Sequence, residues 1–114
     1  MFGFSKKVDV DEEKVNVFVG WFLENGDRII SSVENRMSDR QTMLSVLDEV
    51  ENQLALVYRD GYKGQIEIDY GGMGNDWELN LYHKNKPFLI KATEMIASRF
   101  ESMNIPKWRV NTGK

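Results

Sequence analysis

The segment QIEIDYGGMGNDWELNLY, residues 65–82, decides the fold because its apolar residues follow the spacing of β-strands. On both sides of the glycines, apolar and polar residues alternate, which gives each strand one apolar and one polar face. The connection over residues 71–75 has a length that suits a hairpin loop, and glycine tolerates positive φ there. We therefore predict a β-hairpin over residues 65–82.

The residues before the hairpin follow helical spacing instead. Apolar residues recur every three to four positions over residues 11–37, and this phase continues across Asn25-Gly26. An Asn-Gly pair also favours a hairpin turn, and the valines before it alternate, so a pair of strands is the competing interpretation. We favour one helix, because residues 28–37 show no alternation. Gly26 then marks a kink or a close contact with another element.

Two further helices and a last strand complete the prediction. Ser38 and Gln41 have the spacing of a capping box in front of a helix over residues 39–59. A proline suits the first position of a third helix, residues 87–104. Residues 107–111 begin with alternating apolar and polar side chains and are expected to form a strand.

The predicted fold class is α+β in a single domain over residues 1–114. The elements follow the order α-α-β-β-α-β after an irregular lead over residues 1–10. We expect a small antiparallel sheet of about three strands with helices packed on one face. A chain of 114 residues with 41% hydrophobic residues can bury one core and is too short for two.

Composition excludes several classes of function. The net charge is −3 and no segment concentrates Lys and Arg, so nucleic acid is not an expected partner. The sequence has no cysteine, which removes disulfides and sulfur-ligated zinc and fits a reducing cytoplasm. No apolar run approaches the roughly 20 residues that span a bilayer, and the first residues lack the apolar region of a signal peptide. We expect a cytoplasmic protein with no membrane partner.

The hairpin loop is similar to an ion-binding sequence. Residues 71–76, GGMGND, match the opening G-G-x-G-x-D of calcium-binding β-helix repeats. Those repeats bind calcium between stacked copies and this sequence has one copy, so we favour a plain bend. A small-ligand or calcium site formed by Asp69, Asn75 and Asp76 is the alternative. A phosphate site is not expected, because the glycines lead into a strand and not into a helix.

The sequence offers little for catalysis, and we assign no catalytic residue, metal or cofactor. The single histidine, His83, stands in the turn HKNK, where a solvated side chain is expected and not a catalytic base. An enzyme with a carboxylate acid–base pair is a further alternative. Alternation along the strands puts Glu67, Asp69 and Glu78 on one face, where they can converge on a common ligand.

The polar face of the predicted sheet is the favoured interaction site, because no predicted element is left to cover it. We expect a non-enzymatic module that binds a protein partner, as an adaptor or as an immunity protein that neutralises a basic toxin, or that pairs with itself. Lys107 and Arg109 of the last strand are expected to offset part of the negative charge. Trp21 lies at the edge of the apolar stripe of the first helix and is a contact candidate. The expected partner-binding residues are Glu67, Asp69, Glu78, Asn80, Tyr82 and Trp21.

The first helix resembles the opening of certain small bacterial proteins of unknown function. The likeness rests on WFLEN, residues 21–25, which has the pattern W-F-x-x-N, and on the Arg-Ile-Ile that follows at residues 28–30. The resemblance implies a bacterial, single-domain α+β protein. It implies no activity, and no functional residue follows from it.

Overall fold

The computed structural model describes residues 10–58, 66–70, 77–105 and 107–112, and within them the chain has the predicted α+β class. The predicted order α-α-β-β-α-β is confirmed. The elements are α1 (Glu12–Glu34), α2 (Arg40–Tyr58), β1 (Ile66–Tyr70), β2 (Trp77–Leu81), α3 (Pro87–Ser102) and β3 (Trp108–Asn111).

Helix α1 runs without interruption through Asn25 and Gly26. The side chain of Asn25 donates to the carbonyl oxygen of Trp21 at 2.8 Å, one turn earlier, so it reinforces the helix and does not start a turn. A Cβ atom at position 26 would lie 3.0 Å from Nε1 of Trp108. The glycine therefore marks a close approach between α1 and β3, and its helix-propensity cost is offset by this packing.

Aspartates cap the first two helices. Asp11 precedes α1, and its side chain accepts from the backbone N–H of Glu13 at 3.0 Å. Asp39 precedes α2 and accepts from the backbone N–H of Thr42 at 3.1 Å and from its hydroxyl at 2.6 Å. The predicted cap at Ser38 is wrong by one residue, because the Ser38 hydroxyl donates back to the carbonyl oxygen of Asn35.

The sheet has the order β1-β2-β3 and is mixed. Strands β1 and β2 pair antiparallel, as predicted, with Tyr70 opposite Trp77. Strands β2 and β3 pair parallel, with Trp77 opposite Trp108, so the antiparallel expectation is wrong for this pair. The reason is that α3 forms a crossover that returns the chain to the starting end of β2. Residues 71–76 lie outside the described residues, and they join two antiparallel strands.

A single cluster of aromatic and aliphatic side chains lies between the helices and the apolar face of the sheet. Phe22 of α1 is at its centre, with its ring 5.2 Å from the ring of Phe100 and 4.7 Å from that of Trp108. Leu79 and Leu81 of β2 are fully buried in the same cluster. Among the described residues, no helix has the length and apolar character needed to cross a membrane.

Candidate interaction surface

The polar side chains of all three strands project from the side of the sheet opposite the apolar core. The strand registers place Glu67 beside Asn80, Asp69 beside Glu78, Glu78 beside Arg109, and Asn80 beside Asn111. We call this surface the polar sheet face. Its members are Glu67, Asp69, Glu78, Asn80, Arg109 and Asn111, together with Tyr82 just beyond β2.

Asn80, in the central strand, connects the two edge strands. Its side-chain Nδ2 donates to Oδ2 of Asp69 at 3.0 Å, and its Oδ1 accepts from Nδ2 of Asn111 at 2.9 Å. It is 6% exposed, so its polar atoms are satisfied by neighbours and not by bulk water. The chain of hydrogen bonds fixes the rotamers of Asp69, Asn80 and Asn111 relative to one another.

The charges of the polar sheet face are unequal in sign. Arg109 forms an ion pair with Glu78, so it offsets negative charge on the sheet as expected. Lys107 instead forms an ion pair with Asp27 of α1, with Nζ 3.7 Å from Oδ1. The described face therefore holds three carboxylates and one guanidinium. Both Glu67 and Asp69 are exposed to solvent.

Tyr82 extends the polar sheet face past the end of β2. Its hydroxyl donates to Oε1 of Glu67 at 2.8 Å. This hydrogen bond is the main cause that raises the pKa of the Tyr82 phenol above its ordinary value, because ionisation of the phenol would break it. Desolvation and the negative charges of Glu67 and Asp69 raise this pKa further.

The structure brings together five of the six residues predicted to bind a partner, and it separates Trp21 from them. Trp21 belongs to α1, is partly buried, and packs edge-on against Phe22 with ring centroids 6.5 Å apart. Because α1 covers the apolar face of the sheet, Trp21 is not part of the polar sheet face. Asn75 and Asp76 lie outside the described residues, so the small-ligand or calcium alternative with Asp69 stays a prediction.

Among the described residues, the grouping of metal-ligating side chains and the lining of the cavities bear on the carboxylates of the sheet as follows. Within residues 10–58, 66–70, 77–105 and 107–112, no group of three or more His, Asp or Glu side chains is placed to hold a metal ion. The three cavities that we describe are not lined by Glu67, Asp69 or Glu78.

His83 is buried, contrary to the expectation of a solvated side chain. It is 8% exposed, and its Nδ1 accepts from the backbone N–H of Asn85 at 3.0 Å. Two residues with positive φ, Lys84 and Asn85, form the turn around it. The imidazole therefore organises the connection from β2 to α3, a role that the polar sequence of this turn did not indicate.

Sequence reasoning also missed the cavities, which form where two or more elements meet in the folded chain. Of the three cavities that we describe, the largest has about 450 Å³ and lies between α1 and α2 near their connection. The others, of about 220 and 170 Å³, lie on two sides of Trp108. We call the first the α1–α2 cavity; it is lined by Arg28, Ser31, Ser32, Asn35, Ser38, Asp39, Thr42 and Val46.

Comparison with known proteins does not identify the chain. No protein-family model, curated protein or solved structure matches it. Function must therefore be inferred from the surfaces described above.

Proposed function

We propose that the protein is a non-enzymatic interaction module whose polar sheet face binds a basic segment of another protein. One observation supports this above all: among the described residues, three carboxylates and one guanidinium are held on one face of the sheet by hydrogen bonds between strands. A face with excess negative charge attracts a partner with clustered Lys or Arg and repels acidic competitors.

The hydrogen bonds that hold the side chains favour binding. A carboxylate that is free to rotate loses conformational entropy when a partner immobilises it, at a cost of roughly 0.5–1.5 kcal/mol for each side chain. Glu67 already accepts from Tyr82, and Asp69 from Asn80. A large part of that cost is therefore met when the protein folds, and the lone pairs that remain on the exposed Glu67 carboxylate can accept from a guanidinium or ammonium group.

A bacterial cytoplasm is the setting in which we place this module. The first helix resembles small bacterial proteins, and a cysteine-free sequence suits the cytoplasm. A small acidic protein in that setting can serve as an adaptor or can neutralise a basic toxin, in the manner of an immunity protein. The polar sheet face would perform the same task in either case.

The test compares two double variants in an affinity capture from lysate with mass-spectrometric identification. Glu67→Lys with Asp69→Lys reverses two charges on the polar sheet face. Glu34→Lys with Glu101→Lys makes the same change in net charge at the exposed ends of α1 and α3, where a cation is compatible with the helix dipole. Thermal melts establish that both variants are folded.

We expect a basic protein that the wild type and the control variant retain and that the face variant loses. Its retention should fall as salt is raised, because the attraction is electrostatic and exposed. Capture that is equal for all three proteins, or a partner that is acidic, would rule out the polar sheet face as the binding surface.

A further inference from the structure

Strand β1 forms one edge of the sheet, and a hydrogen bond of β2 fixes which of its backbone groups face outward. The backbone N–H of Trp77 donates to the carbonyl oxygen of Lys107 at 2.6 Å, so Trp77 directs its backbone groups toward β3. Because successive residues of a strand direct these groups to opposite sides, Glu78 directs its own toward β1, where Asp69 lies opposite. Asp69 therefore belongs to a hydrogen-bonded pair, and its backbone groups face β2.

The same alternation along β1 leaves every second residue facing away from β2. Glu67, two positions before Asp69, also pairs with β2, and its carbonyl oxygen accepts from the side chain of Asn80 at 3.4 Å. The backbone N–H and C=O groups of Ile66 and Ile68 therefore point outward. Among the described residues, no strand lies beyond β1 and no backbone group bonds to these two isoleucines from that side, so β1 offers an edge open to an added strand.

The apolar side of this edge is only partly covered by the rest of the described chain. Leu79 and Leu81 of the central strand are fully buried. Ile68 and Ile66, which lie opposite them in β1, keep part of their surface exposed. Apolar side chains of an added strand would lie beside the two isoleucines and remove more of their surface from water.

The polar side of the same edge carries two carboxylates, because Glu67 and Asp69 project toward solvent. The pairing of β3 with the other side of β2 indicates which side chain suits a strand beside a carboxylate. Arg109 lies opposite Glu78 and forms an ion pair with it, and both neighbours of Arg109 in β3 are apolar. A strand in which basic and apolar residues alternate therefore suits the outer edge of β1 as β3 suits β2.

We propose that the outer edge of β1 binds an extended segment of a partner protein, with alternating basic and apolar residues, as an added strand. This mode of binding rests on the proposed function and specifies the conformation and pattern of the basic segment. In antiparallel pairing, the basic residues lie opposite Glu67 and Asp69, at positions where side chains are closest and Cα atoms are about 4.5 Å apart. The apolar residues lie opposite Ile66 and Ile68 and exchange backbone hydrogen bonds with them.

A second copy of the chain does not suit this edge. When two β1 strands join into a continuous sheet about a two-fold axis, they are antiparallel, and residues directly opposite project to the same side. Glu67 and Asp69 of one copy would then face the same carboxylates of the other, and like charges directly opposite are destabilising. The two carboxylates therefore disfavour self-pairing and favour a basic strand.

The test uses the peptide Ser-Val-Lys-Val-Arg-Val-Ser, with blocked ends, and measures its binding to the wild type by titration calorimetry at low salt. Two modified peptides carry N-methyl groups, one on two valine amides and the other on the amides of Lys and Arg. Both keep the charge and side chains of the parent. Methylated valine amides should weaken binding by about tenfold or more, because these N–H groups donate to β1, whereas methylated Lys and Arg amides should change it by less than about threefold.

The order of residues in the peptide tests the alternation itself. Ser-Lys-Arg-Val-Val-Val-Ser has the same composition and net charge, but its basic residues are adjacent and cannot both lie on the polar side of a strand. We expect it to bind about fivefold more weakly or less tightly still, the effect of losing one cross-strand charge pair and one apolar contact.

Amide hydrogen exchange, measured by nuclear magnetic resonance, identifies the edge that the peptide occupies. Saturating peptide should slow the exchange of the Ile66 and Ile68 amides by about tenfold or more, because each gains a hydrogen-bond partner. The Glu67 amide already faces β2 and should exchange at an unchanged rate, so it is the internal control.

Three results would overturn strand addition. They are the absence of binding by the unmodified peptide up to about 1 mM, the range of very weak association; an equal effect of the two methylations; and unchanged exchange at Ile66 and Ile68 when the peptide is bound. Loss of binding through the Lys and Arg amides alone would support a strand added in parallel, since the basic residues then face β1. The proposed function is decided separately, because capture of a basic protein that depends on Glu67 and Asp69 does not require an added strand.

Discussion

The two faces of the sheet differ in how they use buried side chains, and two neighbours in β2 show the difference. Leu79 is fully buried among the aromatic and aliphatic side chains of the core. Asn80 is also buried, but by hydrogen-bonded polar neighbours whose other atoms reach solvent. Burial on one face removes apolar area from water and stabilises the fold, whereas burial on the other orients polar groups with little net gain. A face that contributes little to stability can tolerate sequence changes that alter binding.

Truncating these neighbours should give the largest contrast in the molecule. Leu79→Ala removes a fully buried side chain and leaves a cavity, so we expect the free energy of unfolding to fall by about 2–5 kcal/mol. Asn80→Ala should cost about 1 kcal/mol, because its partners can turn to water. Urea denaturation of both variants measures the difference. Equal losses would mean that the polar sheet face is a second core and not a surface held ready for a partner.

Two glycines of α1 extend the comparison from the sheet to the helix. Gly26 faces Trp108, where an added Cβ would be only 3.0 Å from the indole nitrogen, whereas a Cβ on Gly20 would meet no atom within 4 Å. Gly20→Ala should raise stability by about 1 kcal/mol through helix propensity. Gly26→Ala has the same propensity gain but crowds the core, at a cost of about 1–3 kcal/mol.

Thermal melts of the two alanine variants should therefore move in opposite directions, or Gly26→Ala should at least gain much less than Gly20→Ala. A Gly26→Ala variant as stable as Gly20→Ala would show that Trp108 moves aside without loss. The close approach of α1 and β3 would then not be a constraint on the sequence.

Tyr58 is a residue of the apolar core that buries a polar atom without satisfying it. Its hydroxyl is fully buried and has no hydrogen-bond partner among the residues that the structure describes, and burial raises the pKa of the phenol well above its ordinary value. An unsatisfied buried hydroxyl costs about 1–3 kcal/mol. Tyr58→Phe should therefore leave stability unchanged or raise it by about 1 kcal/mol in denaturant titrations. If Tyr58→Phe instead lowers the free energy of unfolding by more than about 1 kcal/mol, the hydroxyl has a hydrogen-bond partner in solution.

The sequence was sufficient to predict the elements, because each one depends on local spacing. Alternation in the hairpin predicted which residues face the core and which form the polar sheet face, and the registers agree. The parallel direction of β3 was not predictable in this way. A four-residue strand has the same alternation in either direction, and the crossover through α3 decides it.

The rest of the site depends on strand register, turn geometry and helix packing, which the spacing of residue types does not show. The pairing of Asn111 with Asn80 requires the parallel register, and the burial of His83 requires a turn with two positive φ values. The α1–α2 cavity appears only when small side chains of both helices face one another. Helical phase predicted that Trp21 lies at the edge of the apolar stripe of α1. It could not predict that Trp21 lies on the side of the molecule away from the polar sheet face.

The smallest expected effect tests whether the hydrogen bonds of the polar sheet face persist in solution. The Glu67 carboxylate raises the pKa of Tyr82 above the ordinary 10.0. Glu67→Ala should therefore make one tyrosine ionise at lower pH in an ultraviolet titration, and Tyr82→Phe should remove that tyrosine from the curve. Glu101→Ala is the control and should change neither.

The stability of the protein should depend on pH through the same Tyr82 phenol. A phenol whose folded-state pKa is raised contributes stability at every pH below its ordinary value, and this contribution is lost as the pH rises through the folded-state pKa. The melting temperature of wild type should therefore exceed that of Glu67→Ala at neutral pH, and the gap should close above pH 10.0. A gap that is constant across this range would mean that the hydrogen bond between Tyr82 and Glu67 does not persist in solution. The polar sheet face would then have to order its carboxylates on binding, and salt-dependent partner capture should be correspondingly weak.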